Sequence, residues 1–222
     1  NVYVNITTDS SEQHTGGTRG VTNGINENPQ WQEHMDFFNI ATTGNGTDFG
    51  NLSADIFATG STASSTRGVV FGGYGGSPHS ANSDEIQFVT IASQGNSQNF
   101  GDLTVGRTYP ATSGNQTRAV MVGGGQPTQN VDTMDYVEIA TLGNAIDFGD
   151  MAYSAYQQGS ASSSIRGVTL GGANPSGGLS TMQYVTISSN GGGYDFGDLT
   201  DQTTHPASAS NNTRGIVGGG YN

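Results

Sequence analysis

Two residue types are missing from this chain of 222 residues: Cys and Lys. Without Cys the chain can form no disulfide, no thiolate nucleophile and no Cys-ligated zinc or iron–sulfur site. Without Lys the basic residues are six Arg against 18 Asp and Glu, and the formal net charge is −12. A charge of this sign repels a phosphate backbone, so we expect no nucleic-acid partner.

Long hydrophobic runs are also missing. No segment approaches eighteen consecutive apolar residues and no signal segment is present, so we expect no membrane insertion. Hydrophobic residues make up only 32% of the chain, whereas 36 residues are Gly. No window carries a helical stripe, and this composition is typical of many short strands joined by tight turns.

Three short sequence blocks recur along the chain at a fixed register. The first is Arg, a small residue and an apolar residue, and its copies begin at Arg19, Arg67, Arg118, Arg166 and Arg214. The second is apolar-x-aromatic-x-x-Ile, beginning at Met35, Ile86, Met134 and Met182. The third is Asp/Asn-Phe-Gly, beginning at Asp48, Asn99, Asp147 and Asp195. Successive arginines are 48, 51, 48 and 48 residues apart, so the repeat is about 48 residues long.

Each repeat is expected to form four strands: the Ser/Thr/Ala run before the Arg, and then the three blocks. In the second and third strands apolar residues fall on both faces, as in Val120-Met121-Val122. Such a sheet must be covered on both faces, and sheets stacked around an axis satisfy this requirement. A four-stranded repeat of this length is typical of a propeller blade. We therefore predict an all-β fold, a five-bladed β-propeller.

The repeat also divides the chain. Residues 19–213 hold four repeats, and 214–222 begin a fifth that residues 1–18 are expected to complete, so that both termini close the ring of a single domain, 1–222. Two placements of the first residues stay open. Counting back from Arg19 puts Asn1 in an outer strand, whereas Tyr3-Val4-Asn5-Ile6 matches the third-strand sequence Tyr136-Val137-Glu138-Ile139.

These motifs resemble those of a known repeat family. The Gly123-Gly124-Gly125 end of the second strand, the aromatic third strand and the Phe-Gly-Asp-Leu fourth strand resemble a kelch-type propeller repeat, with Phe where the kelch pattern has Trp. Runs such as Ile146-Asp147-Phe148-Gly149-Asp150 are similar to propeller repeats of bacteriophage structural and fibre proteins. The resemblance implies display on a virion or appendage rather than catalysis, and it names no ligand.

One Arg in every repeat suggests either an anion-binding ring or a structural contact within each repeat. Aspartates recur nearly one for one with these arginines, and a bidentate Arg–carboxylate latch between strands or blades explains both series. We therefore predict a structural latch formed by Arg19, Arg67, Arg118, Arg166 and Arg214 with Asp48, Asp147 and Asp195.

The loops between the second and third strands differ most among the repeats. They carry the only Trp, Trp31, together with His34, Tyr74 and His79. Exposed aromatic rings among Asn, Gln and Gly suit stacking on sugar rings, so these four residues are the candidate ligand-binding set. The alternative is that Trp31 packs over a blade or an oligomer contact.

The sequence offers no catalytic constellation. The four His share no spacing typical of a metal cluster or a triad, and no nucleophile stands beside a base, so we expect no enzyme. No cofactor is expected. Ca²⁺ is the one metal considered, because Asp147 and Asp150, and likewise Asp195 and Asp198, lie close in sequence; two carboxylates do not complete a coordination sphere.

These inferences lead to a non-catalytic module displayed on a phage virion or an extracellular surface. It is expected to bind host-surface polysaccharide, or another virion or fibre protein, through the loops of one propeller face. The alternative is a purely architectural subunit that builds or decorates a fibre or capsid through propeller edges, including by association of identical copies. An unfinished fifth blade leaves an edge open to strand addition, which favours the alternative.

Overall fold

The structure, a computed structural model, describes residues 17–23, 26–27, 30–31, 33–75, 82–126 and 129–221. All regular secondary structure in these ranges is β, so the prediction of an all-β fold is confirmed. The predicted ring-closing strand within residues 1–18 lies almost wholly outside the described residues. No described helix is long and apolar enough to cross a membrane.

The strands fall into five successive units that follow the sequence repeat. Unit 1 contains β1 (Arg19–Asn23), β2 (Asn26–Glu27), β3 (Gln30–Trp31), β4 (His34–Asn39) and β5 (Thr47–Asn51). Unit 2 contains β6 (Ile56–Phe57), β7 (Gly60–Ala63), β8 (Arg67–Phe71), β9 (Tyr74–Gly75), β10 (Glu85–Thr90) and β11 (Gln98–Asp102). Unit 3 contains β12 (Ala111–Gly114), β13 (Arg118–Val122), β14 (Thr133–Glu138) and β15 (Ile146–Asp150).

The last two units follow in the same way. Unit 4 contains β16 (Gly159–Ser162), β17 (Arg166–Leu170), β18 (Ala173–Asn174), β19 (Gly177–Gly178), β20 (Thr181–Thr186) and β21 (Tyr194–Asp198). Unit 5 contains β22 (Ala207–Ser210) and β23 (Gly215–Gly218).

Each unit is built on one antiparallel sheet whose strands neighbour one another in chain order. Units 2, 3 and 4 have four-stranded sheets: β7-β8-β10-β11, β12-β13-β14-β15 and β16-β17-β20-β21. In the described residues, unit 1 has the strands β1-β4-β5, equivalent to the last three of a complete sheet, and unit 5 has the first two, β22-β23. The register repeats as well, since Arg67 opposes Thr90 just as Arg166 opposes Thr186.

The hydrophobic core lies between consecutive units. Neighbouring residues of a strand point to opposite faces of its sheet. On β13, accordingly, Met121 packs in a cluster shared with unit 2, whereas Val120 and Val122 pack in a cluster shared with unit 4. A third cluster, which includes Phe49 and Val89, joins units 1 and 2. The apolar residues on both faces of the middle strands are thus covered on both faces.

Hydrogen bonds join the units at the two edges of their sheets. The carbonyl oxygen of Phe100, in the fourth strand of unit 2, accepts from the N–H of Gly143 in the turn between β14 and β15 (2.9 Å). At the first strands, the Thr112 hydroxyl donates to the Ser61 carbonyl oxygen (2.7 Å), and Ser208 donates to the Ser160 carbonyl oxygen in the same way (2.6 Å). Each of the complete sheets is therefore tied to neighbouring units by hydrogen bonds at both of its edges.

Candidate functional site at the mouth of the units

One end of the sheets collects the segments in which the repeats differ. The chain enters each first strand at this end, and a residue of the entering segment pairs with a residue that follows the second strand: Phe57 with Tyr74, Thr108 with Gly125, Tyr156 with Ala173, and Thr204 with Tyr221. We name this end the mouth. The opposite end, where residues 64–66, 115–117, 163–165 and 211–213 turn from first to second strands, is named the base.

Four residues at the mouth have a left-handed backbone although none of them is Gly. They occupy one register of the repeat and have φ between 50° and 58°: Ala58, Tyr109, Gln157 and His205. Each is hydrogen-bonded to the next, since Tyr109 N–H donates to the Ala58 carbonyl (2.8 Å), Gln157 to Tyr109 (3.1 Å) and His205 to Gln157 (3.0 Å). Non-Gly residues in this conformation are strained, and such positions cluster at functional sites.

Aromatic side chains form a continuous row across the mouth, named the aromatic row. In order they are Tyr74, Phe57, Tyr109, His205 and Tyr221, with successive ring centroids 5.7, 6.3, 5.4 and 5.7 Å apart and each pair edge to face. Tyr109 belongs to unit 3 and His205 enters unit 5, so the row joins units that are not consecutive. Tyr221 is 70% exposed, and its ring is open to a ligand.

The aromatic row presents ring faces and edges together with uncharged hydrogen-bonding groups. Partial burial lowers the pKa of His205, which favours the neutral imidazole. The tyrosine hydroxyls and this imidazole can donate to and accept from hydroxyl groups. Throughout the described residues there is no group of three His, Asp or Glu side chains placed to hold a metal ion.

Of the four predicted ligand-binding residues, the structure places one in the aromatic row. Tyr74 lies in the aromatic row. Trp31 pairs with Asn26 through its backbone at the mouth of unit 1, but its side chain and all of His79 lie outside the described residues. His34 is an exposed residue at the start of β4, with Nε2 3.9 Å from Asp48 Oδ1 and no ring contact with the row.

Sequence reasoning missed Phe57, Tyr109, His205 and Tyr221. For Tyr109 and His205 a signal was present, because the residue nine before Arg67, Arg118, Arg166 and Arg214 is Ala58, Tyr109, Gln157 and His205, whereas the Arg itself recurs unchanged. A position that varies inside a constant repeat, just before a strand, indicates a surface that the repeat itself does not need.

The repeated arginines make contacts of one kind along the chain. The guanidinium carbons of Arg19, Arg67, Arg118 and Arg166 lie 4.1–4.6 Å from the ring centroids of Phe37, Phe88, Tyr136 and Tyr184 in their own third strands. The Nη1 of Arg67 also donates to the carbonyl oxygen of Ile139 in the next unit (2.6 Å). Arg19 and Arg118 do the same to Ile91 and Ile187.

The predicted carboxylate partners of these arginines are wrong. Asp48, Asp147 and Asp195 instead accept, through Oδ1, the N–H of the Gly two residues on, at 3.0–3.1 Å. A short carboxylate closes such a turn on its own backbone. The arginine is held by an aromatic ring and a carbonyl oxygen, which the recurrence of Asp did not reveal. Arg118 alone among the repeated arginines binds a described carboxylate, that of Glu138 (2.7 Å).

The sixth arginine, which lies outside the repeat pattern, forms a buried ion pair. Arg107 and Asp135 are fully buried and hydrogen-bonded to each other. Arg107 Nη1 also donates to the Thr133 carbonyl oxygen (2.6 Å), and Asp135 accepts from the Thr104 hydroxyl (2.7 Å). Burial lowers the pKa of Arg107, and the charge of Asp135 opposes that shift.

No protein-family model matches the chain, and no curated protein matches it. Among solved structures, one described as "Structure of YjhT" is similar, with a TM-score of 0.75 and 12% sequence identity. The similarity covers 91% of this chain and 74% of that chain. At this identity the likeness shows the fold alone.

Proposed function

We propose that this chain is a non-catalytic recognition module, displayed on a phage virion or an extracellular appendage, that binds a host-surface glycan or a partner protein through its mouth. The aromatic row is the observation that carries the binding role. Rigid rings supply large contact area at low entropic cost, and they stack on the apolar faces of sugars. The location rests on the similarity of the repeats to those of phage structural and fibre proteins.

The architecture that we propose is a five-bladed kelch-like β-propeller closed by both termini. Two features support a ring. Hydrogen bonds between first strands run in the same sense from unit to unit. The contact between Tyr109 and His205 brings units 3 and 5 together over the entry to unit 4. In a ring of blades each sheet is covered on both faces by its neighbours, which suits the hydrophobic clusters shared between consecutive units.

In the part of the chain that the structure describes, unit 5 has no third strand and none of the contacts that a third strand makes in the other units. Phe196, in the fourth strand of unit 4, is 48% exposed, whereas its equivalents Phe49, Phe100 and Phe148 are 2–3% exposed. Phe100 is covered by Val137 and Ile139, which belong to the third strand of the next unit. Among the described residues, no ring lies under the guanidinium of Arg214 and no carbonyl oxygen binds that of Arg166.

We propose that residues 1–18, of which 1–16 lie outside the described residues, complete unit 5. Of the two placements that the sequence leaves open, the match of Tyr3-Val4-Asn5-Ile6 to the third-strand sequence Tyr136-Val137-Glu138-Ile139 favours the third strand.

A disulfide tests this assignment directly, since the chain has no Cys of its own. If Tyr3 aligns with Tyr136, the pairing of Asp135 with Met121 in unit 3 corresponds to Val2 with Val217, so Val2→Cys/Val217→Cys is expected to cross-link under mild oxidation. Val4→Cys/Val217→Cys is the control, with its cysteines two residues out of register. A linked monomer supports ring closure within one chain, whereas a linked dimer shows strand exchange. Equal cross-linking of the two pairs contradicts the assigned register.

Binding to a panel of neutral and charged oligosaccharides tests the recognition role. Tyr109→Ala and Tyr221→Ala are expected to weaken binding at least tenfold, because each removes a stacking ring. Ala is accommodated at the register of Tyr109, since Ala58 occupies it in unit 2. Tyr194→Ala is the control, because Tyr194 is 59% exposed near the base. The absence of saturable binding to any oligosaccharide refutes glycan recognition.

The second candidate function is architectural, and the open side of unit 5 favours it. A groove of about 410 Å³ between units 4 and 5 is lined by Ile165, Arg166 and Phe196, and Ile216 beside it is 65% exposed. A strand from another copy can fill such a groove. Deletion of residues 1–8 tests this role: loss of assembly with retained glycan binding favours architecture through these residues, and the reverse favours recognition.

A further inference from the structure

The charges of the described residues are divided unequally between the mouth and the base. The acidic side chains at the mouth end lie just before third strands, at the ends of fourth strands, or in the segments that lead to the next unit: Glu33, Asp55, Asp84, Glu85, Asp102, Asp132, Asp150, Asp198 and Asp201. Most of them are exposed. Arg107 is the one Arg whose place in the repeat is at this end, and it is buried against Asp135.

The base has the opposite balance. All five repeated arginines begin or precede second strands there, close to the turns from the first strands. Among the described residues, Glu138 is the acidic residue at the base, where it opposes Arg118. Asp48, Asp147 and Asp195 lie in the fourth strands opposite the third residue of their third strands, so they belong to neither end. Across the described ranges, negative charge is therefore not spread evenly but is concentrated at the mouth end of the sheets.

We infer that the mouth selects glycans without negative charge, and binds amino sugars in preference to neutral sugars. This inference rests on the proposed recognition function and names the ligand class of the same site. An ammonium group is attracted to the faces of aromatic rings and to the surrounding carboxylates. A uronate or sialate finds no exposed described cation at the mouth with which to pair and is repelled by the same carboxylates.

Asp55 and Asp201 are the carboxylates closest in sequence to the row. Asp55 precedes β6, which carries Phe57, and its carbonyl lies against Gly75 beside Tyr74. Asp201 precedes the Thr204 segment that pairs with Tyr221. Both are exposed, so Asn can replace them without burying an unpaired group.

The experiment compares hexamers of glucosamine, N-acetylglucosamine and galacturonate, with the amines protonated. We expect the glucosamine hexamer to bind about tenfold more tightly than the N-acetylated one, and the galacturonate hexamer not to bind. Raising the salt from 0.05 to 0.5 M is expected to remove most of the difference. Tighter binding of galacturonate, or equal binding of all three, overturns the charge preference while leaving recognition intact; no binding of any hexamer counts against both.

Two double variants that remove the same charge at different places test whether carboxylates at the mouth attract the amino sugar. Asp55→Asn/Asp201→Asn is expected to weaken glucosamine binding about fivefold and to leave N-acetylglucosamine binding unchanged. Asp147→Asn/Asp195→Asn removes the same charge from fourth strands, at the opposite sheet edge from the first strands that the row precedes. There Asn keeps the turn, and this variant is expected to change neither affinity. Equal losses in the two double variants mean that total charge, not the mouth, attracts the ligand, and that result refutes the inference.

Discussion

The buried pair of Arg107 and Asp135 provides the sharpest test of how the units are held together. Removing one member of a buried ion pair leaves an uncompensated charge and costs about 3–5 kcal/mol. Arg107→Ile leaves the Asp135 carboxylate with only its bonds from Thr104, and Asp135→Gln leaves a buried guanidinium without its anion. We expect each single variant to lose about that much free energy of unfolding.

The double variant is expected to lose much less stability, because another unit of this chain has the same two uncharged residues at the equivalent positions. Unit 2 has Ile56 and Gln87 at the two equivalent positions, and there the Gln87 amide oxygen accepts from the Ser53 N–H (2.8 Å). Arg107→Ile/Asp135→Gln reproduces that arrangement in unit 3. Arg107 Nε has no hydrogen-bond partner among the described residues, so the native pair is not fully satisfied. We expect the double variant to lose about 1–2 kcal/mol, chiefly for the smaller side chain.

Urea unfolding followed by far-ultraviolet circular dichroism measures the four free energies of this cycle. The expected coupling between the two sites is about 4 kcal/mol or more, because the single losses together far exceed the double loss. If the double variant loses as much as the two single variants together, the sites act independently and the reasoning is refuted. Single losses below about 1 kcal/mol refute it as well, since they mean that water compensates the orphaned charge.

Three further predictions concern contacts between units and at the mouth. Gly149→Ala is expected to lower the free energy of unfolding by about 3 kcal/mol more than Gly197→Ala, with a correspondingly lower melting temperature. Both glycines have positive φ, but only at Gly149 does an added Cβ meet the backbone of the next unit, 2.6 Å from the Gly191 oxygen. Equal losses in the two variants contradict this prediction. Arg67→Lys is expected to cost about 1 kcal/mol in the free energy of unfolding by urea, because Lys lacks the planar group that stacks on Phe88 while donating to the Ile139 carbonyl oxygen. An unchanged midpoint counts against a stabilising role for this contact. The pKa of His205 is lowered in the folded protein, so its contribution to stability is complete above the unfolded pKa of about 6.5 and decreases as the pH falls through the folded value. His205→Gln is expected to reduce the loss of stability at acid pH. If the stability of the variant has the same pH dependence as that of the native protein, His205 is not the group responsible.

The fold was more accessible to sequence reasoning than the site. The period and the two-sided apolar pattern of Val120-Met121-Val122 predict stacked β-sheets, because those residues have to be buried wherever the repeat recurs. The aromatic row has no such period: Tyr109 and His205 lie in a segment whose residues differ from repeat to repeat, and their contact depends on how units 3 and 5 approach. The Arg–Asp latch failed for a related reason, since equal spacing of two residue types cannot show which of them touch.

Under the proposed function, recognition and assembly depend on different residues. Residues that recur at a fixed register, such as Arg67 and Gly101, lie against the next unit, so their replacement acts on stability first. Residues that differ between units at one register, such as Tyr109 and His205, carry strained backbone without adding apolar core. A scaffold that is fixed by its repeated positions leaves the varied ones free to be selected for a ligand. Changes of binding without loss of stability are therefore expected at the mouth, and changes of assembly beside Phe196.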